Sequence, residues 1–315
     1  MLIYFQLRNE SFQLVLEKER KKRPELTKSY FIRENGTLDR LYLPQGCIKY
    51  KGCDVTSCFS ADKCGNLIRH GVILRDLDYF VFKQVDRQKK VLRVYYTPSL
   101  FSNKSIARGM PIPGHRRRRR QLPKGVNLKH TVEVCMFTDH LLYKEFCDVY
   151  SGCERGLVEL DEYVRTVALG ASLFYDRISN SQLQLSIVLK NVYHNAQPPG
   201  KNQSVFYDVQ LDRESKDGRP QVDAATALKT FADYQNSFFQ RNGVTASTCD
   251  QNSLITLHDL ADESTDDGLT SIGIGYVGGI CNDLYKTAVC QFKPYGYGWS
   301  TVYILAHEIG HKCHT

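Results

Sequence analysis

Five consecutive arginines, Arg116 to Arg120, follow Pro111, Pro113, Gly114 and His115. Such a stretch has no apolar face to bury and no period to fold around. It belongs on the surface, and it divides the 315-residue chain into a part at 1–120 and a part at 121–315. Charge divides at the same place. Residues 1–120 hold 26 Lys+Arg against 11 Asp+Glu, residues 121–315 hold 16 against 23, and +15 with −7 gives the net +8. A basic first part can sit on an acidic second part. A nucleic-acid partner would more naturally leave its basic charge on the folded domain, so none is expected.

Hydrophobic residues at 42% and charged ones at 24% are those of an ordinary folded protein, which excludes a disordered, collagen-like or coiled-coil chain. No run of about 18 apolar residues occurs, so no transmembrane segment is expected. Four cysteines precede the arginines (Cys47, Cys53, Cys58, Cys64) and seven follow (Cys135, Cys147, Cys153, Cys249, Cys281, Cys290, Cys313). That density, with Asn-x-Ser/Thr acceptors at Asn9, Asn35, Asn103 and Asn202, points to an oxidising, secretory route. Arg8 interrupts the apolar start before a signal peptide can form, so the expectation is a secreted protein whose N-terminus is incomplete, with a cytosolic protein as the alternative.

Residues 2–96 alternate in short strand-like runs with Asn35-Gly36 and Gln45-Gly46 turns, predicting a small β-rich domain. After Gln121 strands alternate with helix-length segments. Val132 to Phe137 and Leu183 to Val192 read as strands; Glu159 to Tyr175, Asp223 to Phe239 and Trp299 to His311 read as helices, an α/β layout. Gly273 to Gly279 is too glycine-rich for a central strand and fits an edge that another backbone approaches.

The sharpest chemical signal is His307-Glu308-Ile309-Gly310-His311. Histidines four apart lie about 40° from each other around a helix, so both imidazoles can grip one zinc ion. Glu308 stands beside them to take a proton from an attacking water, while zinc supplies Lewis acidity. Chance produces this pattern in about one such chain in a hundred. The bland alternative is a structural helix with surface histidines.

HEIGH, with the glycine-rich IGIGYVGGIC segment, the polybasic run and a β-rich leader, resembles the reprolysin metzincins, the ADAM, ADAMTS and snake-venom type metalloproteases of peptidase family M12B. Gly46-Cys47 through Ile68 is similar to the reprolysin propeptide, and Thr131 to His140 to the family's first catalytic strand. The resemblance implies a propeptide at 1–120 and an α/β (α+β) metzincin catalytic domain at 121–315, with a mixed sheet and an active-site helix. It implies that Glu308 is the catalytic general base and that His307 and His311 are zinc ligands. It implies a proprotein-convertase site at Arg117, Arg118, Arg119 and Arg120, with a new N-terminus at Gln121 and protein substrates outside the cell. A nuclear-localisation or heparin-binding patch remains the alternative for the arginines. Glu133 and Asp250 fall where the family places calcium carboxylates, or are ordinary surface acids. Gly275, Tyr276, Val277 and Gly278 fall where family substrates lie as an added antiparallel strand, or form a plain glycine-rich turn. Cys64 is implied to pair with Cys47, and no cysteine switch is recognisable.

The resemblance is incomplete at the end of the motif. The family places glycine where this chain has His314, and its third zinc histidine falls two residues past Thr315. On a continued helix His314 would sit about 10 Å along the axis from His307, too far to share the ion. Cys313 would point to the opposite face. The expectation is therefore a precursor whose zinc site is truncated, with an inactive pseudoprotease or propeptide-type binding protein, or a basic polyanion binder, as the alternatives.

Overall fold

The computed structural model describes residues 2–7, 10–15, 17–18, 27–33, 37–41, 47–53, 57–64, 67–75, 78–86, 91–97, 108–112, 128–178, 183–196, 210–214, 218, 220–243, 249–261, 272–280, 282–293 and 298–313. Before residue 120 every described element is a strand: β1 (Leu2–Leu7), β2 (Glu10–Val15), β3 (Glu17–Lys18), β4 (Lys28–Ile32), β5 (Leu38–Leu41), β6 (Cys47–Cys53), β7 (Ser57–Cys64), β8 (Leu67–Arg75), β9 (Asp78–Asp86), β10 (Val91–Thr97) and β11 (Arg108–Met110). Strands and helices alternate afterwards: β12 (Leu128–Thr138), α1 (His140–Val149), α2 (Cys153–Ile178), β13 (Leu183–Asn195), β14 (Gln210–Glu214), β15 (Pro220–Asp223), α3 (Ala224–Arg241), β16 (Gln251–Thr256), β17 (Asp259–Ala261), β18 (Gly273–Tyr276), β19 (Thr287–Gln291) and α4 (Thr301–Cys313).

The predicted strands β12 and β13 and helix α2 are present with longer bounds, while the helices expected at 223–239 and 299–311 lie at Ala224–Arg241 and Thr301–Cys313. Helix α1 was not anticipated from the sequence, although Leu142, Phe146 and Cys147 give it one apolar face; it starts where the Asp139 carboxylate accepts the Leu142 N–H at 2.8 Å. Asp223 caps α3 in the same way through Thr226.

The main sheet has eight strands in the order β11-β18-β19-β16-β12-β13-β4-β5. Strands β12, β13, β16, β19 and β4 run parallel, while β18 and β5 run antiparallel to their inner neighbours. Such a mixed sheet needs cover on both faces. Along β12 the pleat sends Val132, Val134 and Met136 into a core with α1, α2 and α4, and Cys135 and Phe137 into a second core with α3. Phe137 stacks on Tyr193 at 4.7 Å and meets Phe231, Phe238 and Phe239 edge-on. Disulfides join Cys135 to Cys249 and Cys147 to Cys153; Cys58 is also disulfide-bonded, and Cys290 is a buried free thiol.

The first 120 residues form a six-stranded antiparallel sheet, β10-β9-β8-β7-β6-β3, whose Val72, Leu74, Tyr79 and Val81 enter the same core as α2 and α4. Lys83 pairs with Glu159 and lies 3.7 Å from Glu162 on α2, a contact between the basic and acidic parts. Register sets Cys47 opposite Cys64 and Cys53 opposite Cys58. The same 120 residues also lend strands to both edges of the main sheet, β4 and β5 at one, β11 at the other.

Strand β4 is held through a buried carboxylate. Asp161 on α2 accepts from Ser29 and from Arg165 Nε at 2.5 Å, and lies 3.2 Å from His194 Nε2. Arg165 also donates to the Thr27 carbonyl at 3.2 Å and the Ser29 hydroxyl at 2.7 Å. Burial alone would raise the Asp161 pKa, but the bond and charge of His194, then Arg165 and Ser29, hold it down from 3.8 to about 2. A carboxyl depressed on folding adds stability that is present above the unfolded value and lost as pH falls through the folded one. Asp161→Asn should therefore cost about 2 kcal/mol at pH 7, and urea melts should show that deficit shrinking below about pH 4. A deficit independent of pH would show that the ionised network does not stabilise the fold.

Candidate metal centre

Helix α4 turns Val302, Leu305 and Ile309 into the core, which leaves positions 307 and 311 on its outer face. His307 is exposed and His311 half-buried, while Glu308 projects inward with no exposed surface. The two Nε2 atoms lie 2.8 Å apart and the rings meet edge-on at 4.5 Å, as neighbours one turn apart can. His307, Glu308 and His311 each bring a ligand atom within 4.8 Å of the others, and no other group of three His, Cys, Asp or Glu does so among the described residues.

Neither carboxylate oxygen of Glu308 has a hydrogen-bond partner among the described residues. Burial pushes its pKa well above the ordinary carboxylate range, against the opposing charge of Lys312 one turn on. Lys312 is itself buried. Its Nζ donates to the carbonyls of Tyr285 at 2.7 Å and Thr287 at 2.5 Å and stands 5.2 Å over the Tyr276 ring. Burial lowers its pKa and Glu308 opposes that. Two imidazoles converging on one point, beside an unpaired buried carboxylate, are a donor set suited to a borderline cation such as zinc.

The glycines of β18 have a steric cause in this packing. A Cβ at Gly273 would lie 2.4 Å from Ile304 Cγ2 and 3.0 Å from Glu308 Oε1, and one at Gly275 would lie 2.7 Å from Glu308 Oε2. The segment is not the edge expected of it, since β18 lies between β11 and β19; the backbone that approaches is β11, and on its face the Glu308 side chain of α4 lies against the strand. Gly275 and Tyr276 are in β18; Val277 N–H donates to the Met110 carbonyl and Gly278 N–H to the His311 carbonyl, both at 2.8 Å. The Tyr175 hydroxyl donates to the Ala306 carbonyl at 2.6 Å, tying the turn before His307 to α2.

Glu133 and Asp250 are neighbours. Asp250 N–H donates to the Glu133 carbonyl at 2.9 Å, Glu133 N–H donates to Asp250 Oδ2 at 2.8 Å, and Lys190 Nζ donates to Glu133 Oε2 at 2.5 Å. Arg117 to Arg120, Cys281, His314 and the Cys313 side chain lie outside the described residues. Sequence reasoning did not find Lys312, Tyr175 or Gly109, whose parts depend on contacts between distant segments. A cavity of about 350 Å³ lined by Lys83, Tyr150, Glu159 and Trp299 lies between the six-stranded sheet and the helices, and no motif residue lines it.

An HExxH helix packed under the edge of a mixed sheet, with its two histidines turned outward, defines a metallopeptidase type of domain. The sequence profile described as metallo-peptidase family M12 matches residues 128–314. The chain belongs to that family, whose members are metal-dependent. No curated protein matches the chain. Among solved structures, metalloproteinase-II from Bacteroides fragilis is similar over 100% of this chain and 80% of its own, at 14% identity and a TM-score of 0.43, a likeness too loose to bear on the site.

If the glycine at 273 is there for the helix, Gly273→Val should destabilise the chain by about 2 kcal/mol through overpacking. For a protein of this size that is a fall of about 5 °C in Tm. An unchanged melt would mean that strand and helix are not in contact.

Proposed function

We propose that the chain is the secreted precursor of a zinc-dependent endopeptidase that hydrolyses peptide bonds of extracellular proteins. The observation that carries this reading is the convergence of His307, His311 and the unpaired carboxylate of Glu308. His307 and His311 would hold the ion. Zinc, when bound there, supplies Lewis acidity that polarises a peptide carbonyl and acidifies water. Glu308 takes the proton of the attacking water on a carboxylate oxygen and returns it to the leaving amine. Backbone groups of Gly275, Tyr276, Val277 and Gly278 orient an extended substrate at the sheet edge.

Secretion is supported by the disulfides Cys135–Cys249 and Cys147–Cys153 and by the Asn-x-Ser/Thr acceptors. No described helix is long and apolar enough to cross a membrane. Residues 1–120 are proposed as the propeptide, with Arg117 to Arg120 as the site where a proprotein convertase separates it from Gln121 onward. Glu133 and Asp250 are a candidate calcium pair supported by their adjacency, and Lys190 would have to give way to the ion.

Wild-type chain given one equivalent of zinc should retain it through gel filtration and, once cut within Arg117 to Arg120 by a proprotein convertase, cleave an unfolded protein substrate. Glu308→Gln should retain zinc equally while cleavage falls at least about a thousandfold. A folded wild type that takes up no zinc would overturn this reading in favour of a protein that binds without catalysis.

A further inference from the structure

The cavity of about 350 Å³ between the six-stranded sheet and the helices is of the size that holds a small organic ligand. Its walls come from both sides of the arginine run, with Val81 and Lys83 on β9 and Tyr95 on β10 from one, and Phe146 and Tyr150 on α1 and Glu162 on α2 from the other. Trp299, in the turn Gly298–Ser300 that leads into α4, completes the lining. The rings are contiguous. Tyr150 stacks on Phe146 at 6.0 Å, Phe146 meets Tyr163 at 5.7 Å, and Tyr163 meets Trp299 at 5.0 Å. Such rings bury a hydrocarbon body and offer their π faces to positive charge.

Charge selects among molecules of that size. Glu145, Glu159 and Glu162 line the cavity against one ammonium, that of Lys83, and the imidazole of His70. Lys83 pairs with Glu159 and lies 3.7 Å from Glu162, so those two carboxylates share it. Glu145 on α1 is half-buried, and no described residue forms an ion pair with it. The Tyr150 ring already draws two cations, Lys83 Nζ at 5.8 Å and Arg155 Cζ at 5.7 Å from its centre. We infer that the cavity is a ligand site for a small aromatic ammonium compound, whose hydrocarbon body lies on Phe146, Tyr163 and Trp299 and whose positive charge lies beside Glu145. An anion of the same shape would meet the repulsion of the three carboxylates. Because the walls come from both sides of the arginine run, the bound cation also favours their joined arrangement. None of His307, Glu308 and His311 lines the cavity, so the site is separate from the metal centre.

Trp299 is the chain's one tryptophan, so its emission in the full chain reports on the cavity. Benzyltrimethylammonium is the probe, since its nitrogen has no lone pair and cannot ligate a metal. It should change the Trp299 emission saturably, with half-saturation at about 1 mM or below. The neutral 2-phenylethanol and the anionic phenylacetate should bind at least about tenfold more weakly. Glu145→Gln should weaken binding of the ammonium probe about fivefold and leave that of 2-phenylethanol unchanged. Slow exchange of the Leu254 and Met136 amides in the central strands reports that the variant is folded. Should Glu145→Gln fail to fold, the order of the three probes in the wild type decides. The inference is overturned by an ammonium probe that gives no saturable change, by equal binding of the three probes, or by a folded Glu145→Gln that binds the ammonium probe as the wild type does. No step uses zinc or peptide cleavage, so this failure and that of the peptidase reading are distinguishable.

Discussion

Strand β12 is buried on both faces and paired on both edges, and the rest of the molecule is arranged to make that burial complete. β13 pairs with it from Leu128 to Thr138 and β16 from Val134 to Thr138, so its backbone is bonded on both sides over its buried second half. Its side chains alternate between the core of α1, α2 and α4 and the core of α3, so the two cores share one strand. Fully burying each of the side chains Val134, Met136 and Phe137 is worth roughly 1.5–3 kcal/mol. Loss of either helical layer would leave half of this apolar surface in water. The Cys135–Cys249 disulfide links the strand to the start of its neighbour β16.

The metal centre hangs on this frame through less favourable physics. Glu308 and Lys312 are both buried on the inner side of α4, and burying charge costs free energy unless partners replace water. Lys312 has two carbonyl partners and an aromatic ring, whereas the described partners leave both oxygens of Glu308 unsatisfied. Such an orphaned buried group fits a functional position, because strain concentrates where chemistry needs a reactive group. The glycines at 273 and 275 permit this arrangement by letting the helix press its carboxylate against the strand backbone. Tyr175 and the His311–Gly278 backbone bond fix the two ends of the motif turn on which the two imidazoles converge.

Much of this was legible because it was local. HEIGH on a helix-compatible run identifies a pair of outward histidines, and strand and helix periodicities place β12, β13, α2, α3 and α4. What the sequence did not carry was the addition of β4 and β11 to partners far along the chain, β13 and β18, since strand addition to an edge depends on backbone groups that every residue has. Residues 27–33 and 108–112 carry no pattern that distinguishes joining their own sheet from joining another. Lys312 was invisible for a related reason. A lysine after HEIGH reads as solvated, and its burial follows from where Tyr285 and Thr287 turn their carbonyls. The glycine-rich segment was singled out as an edge, but β18 lies one strand in from it, and its glycines answer to the packing of α4 as much as to the added strand β11.

The two borrowed edges differ in strength, and the difference bears on how such a chain would open. At the outer edge β4 is held by five residues of register, the Asp161 network and a Tyr30–Tyr193 stack at 5.3 Å, all drawing on buried groups. At the metal-centre edge β11 has three residues of register and the side chains Met110 and Ile112. Local opening follows the smaller sum of buried contacts, so β11 is the more weakly held of the two. An exposed strand edge invites pairing with another extended chain, and β11 is the chain that fills this one, its Gly109 so placed that a Cβ there would lie 2.8 Å from the His311 ring.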